Sequence, residues 1–295
     1  MEEYLNEVFR FYDGQPDIHT IYTQIFKRLY QINDISKINT LTVSKKFLEI
    51  SNKFITNISK NKKYQHNFDY IKSYNVLNLY IWDSDIFNSF TNFNRIKYNS
   101  PQARGILSEL LVKYRYIIEE ENRQLLPKKK FINLMEKTRN DIKNEINKFI
   151  IDYENNVKDC VQKLKILTEI APKLDRPIIT FRGLHYRPDI PESKKYIQYI
   201  QSLKIGDSFG MDGFTSVSPT PIYSLEVFTS DNCCLLCITI PKGSPVLYAV
   251  KAAEIILWKP VLKITNKRLL SIDIDLPNHQ DDYTLQIIDV IVSNE

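Results

Sequence analysis

The sequence predicts an α+β fold, in which a helical N-terminal half is followed by a strand-rich C-terminal half. Before about residue 170, apolar residues recur at helical spacing, whereas after Pro177 they fall in short runs rich in β-branched and aromatic residues. Five of the seven glycines and ten of the thirteen prolines follow Ile170. This distribution is typical of short strands separated by turns, so strands and helices are expected to segregate along the chain.

Helices in the first half are indicated by two stretches with apolar residues at i, i+3, i+4 and i+7 steps, which give a helix one apolar face. Pro101 and Pro127 precede these stretches, and a proline is tolerated at a helix start because the N–H it lacks is unpaired there. The first stretch contains Leu107, Leu110, Leu111, Tyr114, Ile117 and Ile118, and the second contains Phe131, Leu134, Met135, Ile142, Ile146, Phe149 and Ile150.

Strands are predicted at six places in the second half. The first includes Ile178, Ile179 and Phe181 and is ended by Gly183; the others cover 235–240, 246–250, 254–257, 261–265 and 283–292. Two helices interrupt them, one at about 193–203 and one from Thr220 to about 228. We expect residues 1–75 to form a helical region of unknown role. Residues 76–295 would form one domain, with helices over 76–170 and a strand-rich core over 177–295.

Composition excludes several classes of protein. The net charge of +5 over 295 residues is mild and gives no strong nucleic-acid signal. No apolar run reaches the roughly 18 residues of a spanning helix, so no membrane partner is expected. The chain starts Met1-Glu2-Glu3 without a basic, apolar leader, which favours a cytoplasmic location, or the host cytoplasm for a viral protein or effector.

The four cysteines are Cys160, Cys233, Cys234 and Cys237. Cys234 and Cys237 form a CxxC pair, but they fall in a predicted strand, where positions three apart face opposite sides. No second CxxC or His pair completes a zinc site. Reduced thiols that pack as small apolar residues are therefore expected, and no metal is predicted.

Three short segments carry the chemistry. They are 180–183 (Thr-Phe-Arg-Gly), 213–218 (Gly-Phe-Thr-Ser-Val-Ser) and 252–257 (Ala-Ala-Glu-Ile-Ile-Leu). In order, they supply a cation at a strand end, a hydroxyl pair on a turn and a carboxylate at the start of a strand. Arginine suits a pyrophosphate, a carboxylate can stabilise a ribose that loses its leaving group, and a hydroxyl can hold that carboxylate.

Taken singly, each segment has an ordinary structural explanation. Arg182 at a strand end could form a surface ion pair, and Ser216 and Ser218 could be polar residues of a hairpin. Glu254 could be exposed where its strand begins, although a position in a cleft would demand partners, because an unpaired buried charge is costly. The order and spacing of the three segments favour a shared site.

In this order the segments resemble the arginine–serine–glutamate class of mono-ADP-ribosyltransferases, which includes clostridial binary-toxin enzymatic components and vertebrate ecto-transferases. That family has an aromatic-Arg-Gly strand, an aromatic followed by Ser-Thr-Ser, and a Glu that leads an apolar strand. Between the last two, Ile240-Pro241-Lys242-Gly243-Ser244 is similar to the family's Ile-Pro-Lys-Gly-Thr turn. The similarity covers about 177–264.

The resemblance implies a mixed, split β-sheet core with an NAD cleft. It further implies that NAD is the substrate, that no metal is needed, and that the acceptor is a macromolecule, namely a protein. It implies that Arg182 holds the NAD pyrophosphate and that Gly183 offers backbone to the nicotinamide amide. Ser216 would hydrogen-bond Glu254, and Glu254 would grip the ribose 2′-hydroxyl as nicotinamide departs. Ser218 and Phe228 complete the implied NAD contacts, with Phe228 stacked on the nicotinamide ring.

Two departures from the family pattern concern the acceptor. Many members carry Gln or Glu two places before the catalytic Glu, where this chain has Ala252, so specificity for arginine acceptors is not expected. The segment before Glu254, residues 248–253, is also short. Val217 replaces the family's Thr between the two serines.

Two alternatives stay open: an NAD glycohydrolase with water as acceptor, and a non-catalytic interaction module that retains the fold. A serine hydrolase is disfavoured because no Gly-x-Ser-x-Gly elbow is present. A phosphate-binding Gly-x-Gly-x-x-Gly turn or P-loop is also absent. The four histidines, His19, His66, His185 and His279, are scattered along the chain.

Overall fold

The computed structural model describes residues 43–66, 75–82, 128–185, 192–219, 233–276 and 279–293, with a few single positions between 84 and 112. The chain divides into two compact units. One contains the described residues up to Ile55 and from Thr168 onward, and the other spans Thr56–Leu167. The sequence places a boundary at residue 75, between the N-terminal helical region and the domain over 76–295, and this boundary remains a prediction.

The helices of the first half are α1 (Lys45–Lys60), α2 (Val76–Trp82) and α3 (Lys128–Glu169). Ser44 caps α1 by accepting a hydrogen bond from the Phe47 N–H at 3.0 Å. Asn75 caps α2 in the same way, through the Asn78 N–H at 2.9 Å. The predicted helix over 131–150 is confirmed, because α3 begins directly after Pro127 and continues for 42 residues. The predicted helix over 107–118 lies outside the described residues, apart from Val112.

The second half contains eight strands and one longer helix among its described residues. In chain order they are β1 (Ile178–His185), α4 (Glu192–Ser202), β2 (Ser208–Gly210), β3 (Phe214–Val217), β4 (Cys233–Ile240), β5 (Leu247–Ala249), β6 (Glu254–Trp258), β7 (Val261–Leu276) and β8 (His279–Ser293). Every predicted strand is present, and α4 lies one residue from its predicted bounds. The predicted helix from Thr220 lies outside the described residues.

The strands form two sheets. The larger has the order β1-β4-β8-β7-β2 and the smaller has the order β3-β6-β5. All described pairs are antiparallel except β4 with β8, so the larger sheet is mixed. The α+β class and the mixed, split β core predicted from the sequence are thus confirmed.

Strands β7, β8 and β1 extend beyond their predicted bounds in ways that bear on the site or on the sheet, whereas the other predicted strands differ by one or two residues. β7 and β8 extend well beyond 261–265 and 283–292, because they pair with each other from Val261 and Ser293 to Leu276 and His279. Polar residues such as Ser271 and Asp273 interrupt the apolar run there, so the sequence pattern does not predict this part of the strand. β1 continues past Gly183 to His185, which pairs with Cys233 of β4. Arg182 therefore lies inside a strand and not at its end.

One apolar core takes side chains from both sheets. The larger sheet contributes Leu184, Leu236 and Ile238, and the smaller contributes Val217, Ile255 and Leu257. Alternation along each strand places these residues on one face, so that their neighbours point away from the core. The apolar side chains Ile197 and Ile200 of α4 join the same cluster.

The cysteine prediction is confirmed for the thiols that the structure describes. Cys160, Cys234 and Cys237 are buried and form no disulfide. Burial raises the pKa of Cys160 and of Cys237 to about 12, which keeps both thiols protonated at neutral pH. Within the described ranges, no three His, Cys, Asp or Glu residues come together as a metal site requires. The described helices include none with the length and apolar content needed to cross a bilayer.

Candidate active site

Strands β1, β3 and β6 bring the three predicted segments to one cleft of about 320 Å³. This volume lies within the range of small-molecule sites, which begins at about 300 Å³. The lining of the cleft consists of Phe181, Arg182, Gly183, Ser216, Val217, Ser218, Ala252, Ala253 and Glu254.

A narrow backbone bridge joins β1 to the residue that follows β3. The Phe181 N–H donates to the Ser218 carbonyl at 2.7 Å, and the Ser218 N–H donates back to the Phe181 carbonyl at 2.9 Å. Beside this bridge, Nη1 of Arg182 donates to the Ser216 carbonyl at 2.6 Å. The larger sheet therefore meets the smaller sheet at the position where the cation and the hydroxyl residues lie.

Strand pairing explains why Ser216 and Glu254 meet. Ser216 pairs with Ile256 of β6, two residues after Glu254. Residues two apart on a strand share a face, so the two side chains are diagonal neighbours on that face. The Ser216 hydroxyl donates a hydrogen bond to the Glu254 carboxylate.

Three effects set the pKa of Glu254: burial disfavours its ionised form, whereas a hydrogen bond and a nearby positive charge favour that form. Burial raises the pKa of the Glu254 carboxyl above its ordinary value of 4.5. The hydrogen bond from Ser216 and the positive charge of Arg182 oppose that rise without cancelling it. The result is a desolvated carboxylate with two fixed partners, and such a group can stabilise a developing positive charge strongly.

The turn before Glu254 has an uncommon backbone. Val250–Ala252 forms a single 3-10 turn, and Ala253 follows it in the left-handed region at φ 48° and ψ 36°. Such angles cost a residue with a Cβ about 1–2 kcal/mol. The Ser218 hydroxyl donates to the Ala253 carbonyl at 2.9 Å, and the Ala253 N–H donates to the Val250 carbonyl at 3.1 Å. These two bonds hold Ala253 in this conformation.

The structure corrects the predicted local setting of the serines. Ser216 lies within β3, and Ser218 lies in the bridge just beyond it, so neither is on a turn. The tight turn comes earlier, at Gly213 with φ 71°, and Lys259 donates its N–H to the Gly213 carbonyl at 2.8 Å. Because glycine adopts positive φ at little cost, the turn forms at Gly213 and leaves the serines in extended backbone.

Five of the six residues that the sequence proposes for the site, Arg182, Gly183, Ser216, Ser218 and Glu254, line this cleft. The sixth predicted residue, Phe228, lies outside the described residues. Ala253 was not singled out from the sequence, because an alanine gives no signal for a left-handed backbone. Ala252 was noted in the sequence only as a departure from the family pattern.

Comparison with known proteins gives structural likenesses only. No family model and no curated protein sequence matches the chain. Among solved structures, an ADP-ribosyltransferase from Clostridium botulinum is 12% identical, with a TM-score of 0.45, over 86% of this chain and 97% of that one. An ADP-ribosyltransferase toxin from Paenibacillus larvae is 14% identical, with a TM-score of 0.40, over 85% and 94%.

A third similar structure is the enzymatic component of the C2-toxin from Clostridium botulinum. It is 13% identical, with a TM-score of 0.35, over 47% of this chain. The matched region spans 37% of the length of that protein. The first two neighbours are ADP-ribosyltransferases, and the third is the enzymatic component of a toxin. Because all three TM-scores are below 0.5, the contacts within this chain carry the functional conclusion.

Proposed function

We propose that this chain is a mono-ADP-ribosyltransferase, which breaks the nicotinamide–ribose bond of NAD and transfers ADP-ribose to a macromolecular acceptor, a protein. One observation carries the proposal: a desolvated carboxylate, Glu254, is hydrogen-bonded by Ser216 and lies in the field of Arg182 within a single cleft. The catalytic machinery lies within residues 76–295, and strands of the 177–295 core supply the cleft.

Arg182 is the group that receives the pyrophosphate of NAD. Its Nη1 is engaged by the Ser216 carbonyl, which fixes one edge of the planar guanidinium. Its Nε is buried and has no acceptor among the described residues. A guanidinium fixed in this way along a cleft presents its planar fork of N–H donors, a geometry suited to phosphate oxygens. Gly183 adds backbone that a ligand can approach closely, since it carries no Cβ.

Glu254 acts in the bond-breaking step. When the nicotinamide–ribose bond breaks, nicotinamide leaves with the bonding electron pair, and positive charge develops on the ribose. The Glu254 carboxylate stabilises that charge and accepts a hydrogen bond from the ribose 2′-hydroxyl. The acceptor then adds its lone pair to the ribose carbon and loses a proton to solvent or to a nearby base. No oxidant or metal is consumed in this sequence.

A second candidate, NAD glycohydrolase activity, is favoured by the turn before Glu254. Ala252 and Ala253 line the cleft there and present only methyl groups. A side chain that could orient an acceptor through hydrogen bonds is thus missing from these two positions. Water would then take the place of the acceptor, and free ADP-ribose would be the product.

The test is incubation with NAD labelled in its adenylate half, with and without a cell extract as a source of acceptors. Label on protein supports transfer, whereas nicotinamide and free ADP-ribose alone support hydrolysis. NAD that remains intact under both conditions, with bound NAD detected by calorimetry, would refute both activities and favour an interaction module. The Glu254→Gln variant is the matched negative control.

A further inference from the structure

Ser218 lies where the chain leaves one sheet for the other. Strand β3 ends at Val217, which pairs with Ile255 of β6. Continued by one residue, this antiparallel register would set Ser218 opposite Glu254. The backbone of Ser218 instead exchanges two hydrogen bonds with Phe181 of β1, at 2.7 Å and 2.9 Å. The main chain of Ser218 therefore serves the larger sheet, and its side chain is what reaches the strand of Glu254.

The Ser218 hydroxyl makes this connection at the peptide group that leads into Glu254. It donates to the Ala253 carbonyl at 2.9 Å, and that carbonyl belongs to the peptide bond between Ala253 and Glu254. Ala253 has a left-handed backbone, at φ 48°, which an alanine adopts rarely. Rotation of the Ala253 backbone toward a common conformation would carry the carbonyl away from the hydroxyl, so the hydrogen bond opposes relaxation of the turn.

Two hydroxyls thus hold Glu254 at two levels. Ser216 and Ser218 are two residues apart in extended backbone, so their side chains share a face. The Ser216 hydroxyl donates to the carboxylate itself, and the Ser218 hydroxyl holds the peptide group at the base of the same side chain. Ser218 is buried, which shields its hydrogen bond from competition with water. A shift of that peptide group would move the carboxylate relative to the ribose, and a misplacement of about 1 Å can cost roughly 10²-fold in rate.

We propose that Ser218 is a positioning residue for Glu254: its hydroxyl fixes the backbone from which the carboxylate is presented to the cleft. The inference rests on the proposed function, because it concerns the same carboxylate. The resemblance to ADP-ribosyltransferases implies a different role, a contact between Ser218 and NAD. An NAD ligand contributes to the affinity for NAD, whereas a positioning residue of Glu254 contributes to the step in which charge develops on the ribose.

The test compares Ser218→Ala with Ser202→Ala, its matched control. Ser202 is an exposed serine of α4 that also donates to a backbone carbonyl, that of Tyr199 at 2.7 Å. Nicotinamide release at saturating NAD gives kcat, and calorimetry gives the Kd for NAD. We expect Ser218→Ala to lower kcat roughly fivefold, the factor that about 1 kcal/mol gives, with the Kd unchanged. Ser202→Ala should change neither. A raised Kd with kcat retained would overturn the inference in favour of an NAD contact, and parental values of both would overturn it outright.

A second variant keeps the inference testable where the alanine variant fails to fold. Ser218→Cys is close in size to the parent, and its S–H group is a weak donor. It should also lower kcat with the Kd unchanged, and a parental kcat would count against the positioning role.

A measurement without turnover separates this inference from the proposed function. Amide hydrogen exchange, followed by mass spectrometry, should be faster over residues 250–256 in Ser218→Ala than in the parent, and equal over residues 286–291 of β8. Equal exchange over 250–256 would show that the hydroxyl does not hold the turn. If exchange there were faster but the parent released no nicotinamide, the proposed function would fail while the hold of Ser218 on the turn stood.

Discussion

Replacing Glu254 by Gln tests the central assignment most directly. The change keeps the size of the side chain and one acceptor oxygen, and it replaces the negative charge with a neutral amide. A carboxylate about 4 Å from a developing positive charge, at an effective dielectric constant near 20, contributes about 4 kcal/mol. Loss of that interaction lowers the rate of nicotinamide release by about 10³-fold. Binding of NAD should change little, because the positive charge of ground-state NAD lies on the nicotinamide ring and reaches the ribose only as the bond breaks.

The same substitution has a second consequence, on stability. Because burial raises the pKa of Glu254 in the folded state, the folded protein binds this proton more tightly than the unfolded chain does. Stability then falls as the pH rises from the ordinary carboxyl value of 4.5 through the folded pKa. Glu254→Gln removes this decrease of stability with rising pH, because the amide does not titrate. We therefore expect the variant to be at least as stable as the parent at neutral pH.

The assays are single-turnover nicotinamide release, calorimetric NAD binding, and thermal unfolding between pH 4 and pH 8. Glu49→Gln, at an exposed position of α1, is the matched control for a carboxylate-to-amide change. Nicotinamide release by Glu254→Gln at the parental rate would refute the reasoning. Marked destabilisation at neutral pH would contradict the electrostatic account of the site.

Three further changes test the neighbours of Glu254. Arg182→Lys keeps the charge but loses the planar fork, so NAD affinity measured by calorimetry should fall about tenfold, and unchanged affinity would exclude the pyrophosphate role. Ser216→Ala removes a hydrogen bond that lowers the pKa of Glu254, so the acidic limb of the pH–rate profile should move to higher pH. A shift of that limb to lower pH would contradict the contact between Ser216 and Glu254. Ala253→Val places a β-branched residue in the left-handed region and should lower the free energy of unfolding, measured in urea, by about 1–2 kcal/mol. The control is Ala253→Gly, whose free energy of unfolding should lie within about 1 kcal/mol of the parent.

Much of the architecture was predictable from the sequence because local periodicity reflects burial. The helical spacing around 131–150 lies within α3, and the short apolar runs after Pro177 lie within strands. The long β7–β8 hairpin was underestimated because pairing between strands, and not an unbroken apolar run, stabilises its far end. Only cross-strand hydrogen bonds in the folded chain reveal that extension.

The sequence by itself determined which chemical groups the chain offers: a guanidinium after Phe181, hydroxyls at 216 and 218, and a carboxylate at the head of an apolar strand. Tertiary structure alone decided that these groups meet, since strand register places Ser216 diagonal to Glu254 and a backbone bridge brings β1 alongside. It also decided the left-handed conformation of Ala253 and the burial that raises the pKa of Glu254. Register and desolvation depend on contacts between residues far apart in the chain, and no local pattern of residues encodes them.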